Sequence, residues 1–290
     1  MSAASRAPGR TAPVPSDEYE TIRRRHNVVV TGRRDGPVVV LAHGFGCDQN
    51  MWRFVLDDLA ARCTVVLFDH VGAGRSDLSA WSAERYGSLD AYASDVVNLC
   101  RALDLGEVVY VGHSVSASVG VLAAIRAPEL FAGLALLTPS PHYLEDGDYH
   151  GGFTADDIEE LLTALDSNYL GWSATMAPVI MGAPGQPELA RELSDSFCRA
   201  DPQVAAVFAR ATFLADNRSD LAKVTTPSLV VQSAQDSIAP PEVGRYVHRQ
   251  MAGSRLVVLD TTGHCPHMSS PEVTARALLD FVFSDLVAVA

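Results

Sequence analysis

Three residues of this 290-residue chain have the types and the chain order that nucleophilic catalysis needs: Ser114, Asp236 and His264. Ser114 sits in VVYVGHSVSASVGVLAAIRAP, where an apolar run enters Gly112-His113-Ser114-Val115-Ser116 and leaves as a helical pattern that stops near Pro128. A sharp strand-to-helix turn of this kind lifts a serine hydroxyl above a sheet. It needs small neighbours, because the serine backbone is strained and the helix packs close to the strand. Ser116 stands where the usual G-x-S-x-G pattern has its second glycine, so the strict pattern is not met, although serine is small enough to fit. The competing reading of Ser114 is a plain helix N-cap.

A serine hydroxyl is a poor nucleophile until a base removes its proton, so a histidine oriented by a carboxylate must follow, in the order Ser, Asp, His. Asp236 stands just past the apolar run SLVVQ, and His264 just past RLVVLD in TTGHCPH. Taken alone, an aspartate after a strand is an ordinary turn residue; order and placement together favour the catalytic reading. His267 lies nearby, but only His264 directly follows the Gly263 turn. His113 is expected to point into the scaffold, while His43 and His70, which also close strands, are expected to brace loops through hydrogen bonds. The developing oxyanion of acyl transfer needs backbone donors, for which the candidates are the N–H of Val115 and that of Phe45 in the loop His43-Gly44-Phe45-Gly46. The same glycines would serve a simple turn. Gly72-Ala73-Gly74 lacks the third glycine of a dinucleotide fingerprint, and no His, Cys or Asp grouping has metal-ligand spacing, so neither cofactor nor metal is expected.

Positioning these residues requires a sheet whose strands end on one rim. Short β-branched runs at Val28–Val30, Val38–Ala42, Val65–Phe68, Val108–Val111, Leu134–Leu137, Ser228–Gln232 and Leu256–Leu259 alternate with segments of helical period. This is the pattern of an α/β fold with a mostly parallel central sheet flanked by helices, its strands buried on both faces and its ligands bound beyond their carboxyl ends. Between Leu137 and Ser228 lie about ninety residues that read as helices rather than as one crossover. Thr154 with Asp157 predicts a capped start, followed by Ile158, Leu161, Leu162 and Leu165 at helical spacing. Further helices are predicted over Glu188–Cys198, Pro202–Leu214 and, between Asp236 and His264, Glu242–Met251. The expected organisation is a core of residues 17–140 and 216–290, a helical lid over 141–215 that excludes water and shapes a pocket, and a disordered tail over 1–16.

Composition sets the outer limits. A 48% hydrophobic, 20% charged chain can bury a full core. Its net charge of −13, with Lys223 the only lysine and the arginines scattered, argues against nucleic acid and against an anionic membrane surface. No apolar stretch approaches the roughly 18 residues of a membrane span, and the prolines of the first 16 residues do not suit a signal peptide. The five cysteines form no CxxC pair and read as reduced thiols, which together give a cytoplasmic expectation.

The segments HGFGCDQNMW, DHVGAGRSD, VGHSVSASVG, SPHYLEDGDYHGGF and GHCPHMSSP carry a resemblance to the α/β-hydrolase fold superfamily. Within it, they resemble the family of the bacterial stress-response regulator RsbQ and the strigolactone and karrikin receptors of plants. The resemblance runs from about Tyr19 to the C-terminus and includes the lid. It implies a Ser-Asp-His hydrolase with a four-helix lid over a narrow apolar pocket, in which a small hydrophobic ester or lactone is cleaved or sensed. Carried over by position, it puts the triad on Ser114, Asp236 and His264, the oxyanion donors on Phe45 and Val115, and pocket walls on Tyr143, Phe153, Leu161, Trp172 and Phe213. It further implies a regulatory protein partner of phosphatase type. Serine at the elbow disfavours dehalogenase or epoxide-hydrolase chemistry, which uses aspartate there.

Overall fold

The β-branched runs become strands because alternate residues fill two separate cores. Val39, Leu41, Val109 and Val111 pack on one face of the sheet, Val40, Ala42, Val108 and Tyr110 on the other. The computed structural model describes residues 17–286, so the tail expected over 1–16 lies outside the described residues. The strands are β1 (Val29–Gly32), β2 (Val38–Ala42), β3 (Thr64–Leu67), β4 (Val108–His113), β5 (Phe131–Leu137), β6 (Ser228–Gln235) and β7 (Ser254–Thr262). Their order is β1-β3-β2-β4-β5-β6-β7, with β1 antiparallel to β3 and every other pair parallel. The carboxyl ends of β2 to β7 therefore share one rim, and β4, buried throughout, brings Ser114 to its middle.

Burial on both faces, expected of all seven strands, holds for the inner ones only. All four residues of β1 are exposed, and β7 keeps a single fully buried residue, Leu259. Both are edge strands, with a neighbour on one side and no helix covering them completely.

Helices α1 (Asp17–Arg25), α2 (Arg53–Ala60), α3 (Ala83–Tyr86), α4 (Leu89–Ala102) and α5 (Val115–Arg126) precede the long insertion. It contributes α6 (Ala155–Ser167), α7 (Tyr169–Met181), α8 (Pro187–Arg199) and α9 (Pro202–Phe213), after which come α10 (Pro241–Gln250), α11 (Pro266–Ser269) and α12 (Pro271–Asp280). The capped start is present: Thr154 and Asp157 exchange side-chain-to-backbone hydrogen bonds, and Ile158, Leu161, Leu162 and Leu165 are all buried. Helix α7, a lid helix for which the sequence pattern gives no bounds, carries Gly171 and Pro178 and ends on Gly182 in the left-handed region (φ 58°). All five cysteines are free, four of them buried and Cys198 exposed. Among the described residues no helix is long and apolar enough to cross a membrane.

Candidate active site

The turn after β4 holds Ser114 at φ 57°, ψ −124°, a conformation costing a non-glycine residue about 1–3 kcal/mol. Two features over-determine it. The Ser114 N–H donates to the Leu137 carbonyl of β5 (2.9 Å), and Gly112 lets the first turn of α5 fold back, since a Cβ there would lie 2.3 Å from the Ser116 carbonyl oxygen. The hydroxyl consequently stands beyond the strand end, where His264 meets it.

His264 Nε2 lies 2.8 Å from Ser114 Oγ, and His264 Nδ1 lies 2.7 Å from Asp236 Oδ2. The other carboxylate oxygen, Asp236 Oδ1, accepts the backbone N–H groups of Ile238 (2.8 Å) and Ala239 (3.1 Å). The β6–β7 pairing shifts register between Ser233 and Gln235, just where the chain must turn to aim Asp236 at the histidine. The histidine's backbone is tied on both sides. Its carbonyl accepts from His113 Nε2 (2.8 Å) and Thr138 Oγ1 (3.0 Å), and its N–H donates to the Ile180 carbonyl at the end of α7 (2.8 Å). Gly263 (φ 95°) permits that approach, because a Cβ would sit 1.9 Å from the Met181 carbonyl oxygen. The structure thus brings the three sequence-selected residues into one buried hydrogen-bonded line. Such a line can take the serine proton onto Nε2, while the carboxylate fixes Nδ1–H and stabilises the imidazolium that forms.

Neither the Phe45 nor the Val115 N–H donates to a protein acceptor among the described residues. His43, His70 and His113 brace the surroundings through hydrogen bonds, as expected of them. His267 is outside the line: its ring lies tilted between those of Trp52 and His113, and burial pushes it down to about 3, so it is neutral. Cys47 and Cys265 flank the cavity, but burial raises both thiols, Cys47 to about 12, so neither presents a thiolate. Among the described residues no three His, Cys, Asp or Glu side chains gather as a metal-binding group.

A cavity of about 40 Å³ lies over Ser114 and His264, walled by Tyr143, Leu161, Trp172 and Phe213 from the expected set. Phe153 instead lines an outer groove of about 690 Å³ between α6 and α7, which shares Leu161, Trp172 and Met176 with the inner cavity. Met176, Ile180, Leu193, Phe197, Thr212 and Ile238 also line the wall and lie outside the expected set; Trp172, Met176 and Ile180 recur every four residues, a helical stripe that points to the first two. The Tyr143 hydroxyl is 3.4 Å from Ser114 Oγ, and burial pushes it up to about 12, leaving it a donor at neutral pH. A separate cleft of about 650 Å³ opens on the far side of Phe45, lined by Asp69, His70, Arg75, Arg199 and Phe208, and includes none of Ser114, Asp236 and His264.

This architecture and rim site define an α/β hydrolase, and the chain belongs to the alpha/beta hydrolase fold family, whose pattern matches residues 37–271. It is 39% identical to a probable esterase of Oryza sativa subsp. japonica over 91% of this chain and 98% of that one. It is likewise 39% identical to a strigolactone esterase of Arabidopsis thaliana, over 87% and 94%. A hydrolase from Oleispira antarctica superimposes with a TM-score of 0.90 at 44% identity, covering 92% of this chain and 97% of the other. These relatives agree with the resemblance to the strigolactone and karrikin receptor family that the motifs carry.

Proposed function

We propose that this protein is a serine hydrolase of small hydrophobic esters or lactones. Ser114 Oγ attacks the carbonyl carbon as its proton passes to His264 Nε2, the oxyanion falls to the N–H groups of Phe45 and Val115, and His264 returns the proton to the leaving alkoxide. Water, activated by the same histidine, then releases the acid from the acyl-enzyme. The observation that carries this reading is the buried line Asp236–His264–Ser114 closed over by an apolar cavity. In it, residues 141–215 act as the lid. The names of the relatives, esterases among them, support ester or lactone as the substrate class. A fluorophosphonate serine probe tests the reading: it labels the native protein and not Ser114→Ala, and hydrolysis of short esters or butenolide lactones disappears in that variant. Equal labelling or turnover in both would overturn it.

A second reading, a ligand sensor in which hydrolysis is slow and a protein partner reads the lid, has one structural feature in its favour. The catalytic histidine's N–H is bonded to the end of lid helix α7, so events at the triad and the posture of the lid are coupled. Several relatives are named karrikin insensitive 2 receptors. A partner of the phosphatase type captured only with ligand present favours this reading; rapid multiple turnover without such capture excludes it.

A further inference from the structure

The two candidate oxyanion donors come from different parts of the chain, and among the described residues neither N–H is held by a bond of its own. Their aim depends on whatever fixes the residues beside them. Those residues form a closed set of buried hydrogen bonds joining the end of β2, the end of β3 and the start of α5. The backbone N–H of His70 donates to His43 Nε2 (3.0 Å). With Nε2 accepting, the His43 proton must be on Nδ1, where it donates to the Gly44 carbonyl (2.9 Å). The Ser116 hydroxyl donates to the His43 carbonyl (2.5 Å), so its oxygen accepts from His70 Nε2 (2.8 Å). Every donor faces an acceptor, and each proton has one possible place. The Ser116 carbonyl is in turn held by the Tyr110 hydroxyl (3.0 Å). His43, Ser116 and His70 are all essentially buried, so the bonds are shielded from competing water.

Resting on the serine-hydrolase reading above, we infer that His43, His70 and Ser116 are positioning residues that set the separation and aim of the Phe45 and Val115 N–H groups. Phe45 follows His43 by two positions and Val115 directly precedes Ser116. The ring therefore clamps one residue on either side of the hole. A glycine at 116, the fold's usual choice, cannot close it, because the ring passes through the serine hydroxyl. Serine there is not a tolerated departure from the elbow pattern but the keystone of the clamp.

The test compares native protein with Ser116→Ala, Ser116→Gly and His70→Phe, and with the double variant Ser116→Ala/His70→Phe. Three readouts apply: kcat and KM on a short ester, affinity for a trifluoromethyl ketone that mimics the tetrahedral adduct, and melting temperature. Removing an oxyanion donor outright costs about 10²–10³ in kcat, so a donor left in place but loosened is expected to cost about tenfold. KM should stay unchanged, and affinity for the trifluoromethyl ketone should fall by the same factor. The double variant should lose no more than the worse single, since both break one ring. A role confined to stability lowers the melting temperature while kcat and ketone affinity hold, and that result overturns the inference. Should Ser116→Ala not fold, His70→Phe, a ring of similar shape among Phe68, Tyr92 and Phe208, decides alone by the same criteria. Failure of the hydrolase reading looks different: the native protein itself escapes the fluorophosphonate probe.

Discussion

The floor and the roof of the cavity are built by different physics. The floor is polar and singly determined. Asp236, His264, Ser114, and the ring of His43, His70 and Ser116 each have hydrogen-bond partners that leave one arrangement. The roof is apolar and determined by shape. Phe45 meets Trp172, Phe197 and Phe213 at centroid distances of 6.0–6.1 Å, and Trp172 meets Phe197 at 5.3 Å. Its polar ties to the core include Ile180 to His264, Ser196 to Gly46 (2.9 Å), Arg53 to Glu192, Arg199 to Asp48, Asp146 to Arg218, the Pro141 carbonyl to the Asn217 N–H, Gln186 to Ser269, and Tyr143 to Ser114. Hydrogen bonds to buried groups are directional and costly to break, whereas dispersion contacts between rings tolerate sliding. The division suits a catalyst that keeps its reacting atoms still while the space above them adapts to a guest. At about 40 Å³ the inner cavity is too small for a drug-sized ligand, so a guest of that size must displace the roof toward the outer groove.

The sharpest way to break this contrast is at the floor. Ser114→Ala is expected to lower kcat by about 10⁴ or more while the melting temperature holds, since alanine keeps the Cβ and with it the same backbone strain. Asp236→Asn should cost about 10³–10⁴ in kcat, because an amide cannot accept from both the His264 Nδ1–H and the Ile238 and Ala239 N–H groups as a carboxylate does. Retained activity there would mean the histidine is oriented by its backbone ties instead. At the roof, Trp172→Ala should cost about 3–5 kcal/mol of stability in chemical denaturation. It should also shift preference toward bulkier esters while kcat on the smallest ester stays within about threefold. A collapse of kcat on all substrates would erase the distinction between floor and roof.

Acid sharpens the contrast from another side. Burial lowers His26, His43, His70, His113 and His267 below their usual range, so all five are neutral in the folded protein near neutral pH. Unfolded, they take up protons below about pH 6.5. The unfolded state then binds more protons, so stability falls as pH drops below that point, by up to about 1.4 kcal/mol per pH unit for each group. His267→Phe, which removes the one titrating to about 3, should flatten the stability slope between pH 6 and 4 by about one proton; an unaltered slope would show that His267 is already charged in the folded state. The smallest effect is expected of Tyr143→Phe. Its hydroxyl reaches Ser114 Oγ at only 3.4 Å, so kcat should change by less than about fivefold.

What the sequence disclosed follows the same line between local and distant causes. The elbow, the strand-end placement of Asp236 and His264, and the capped start of α6 each depend on a few consecutive residues, and each could be read directly. Helix α7 carried a weaker signal, the stripe of Trp172, Met176 and Ile180, which Gly171 and Pro178 interrupt with residues that disfavour a helix although tertiary packing keeps it helical. The exposure of β1 and β7 depends on which strands find partners on both sides, and no window of sequence holds that. Phe153 was placed in the pocket by resemblance, but its chain segment pairs with Leu144 and leaves the ring behind Tyr143, facing the outer groove. The clamp was half legible. Its histidines read as loop braces and Ser116 as a departure from pattern, but their meeting joins positions 43, 70 and 116, which only the folded sheet brings together.

The bond from His264 to the carbonyl of Ile180 has a consequence for inheritance. Roof and base share one contact, in which Gly182 and Gly263 meet with no room for a side chain on either. In chimeras between this protein and its relatives, the end of α7 and the loop carrying His264 must therefore travel as a linked pair. Crossovers that pair residues 180–182 of one parent with 263–264 of another are expected to lose activity where either parent brings a side chain to 182 or 263, and crossovers that move both together to keep it.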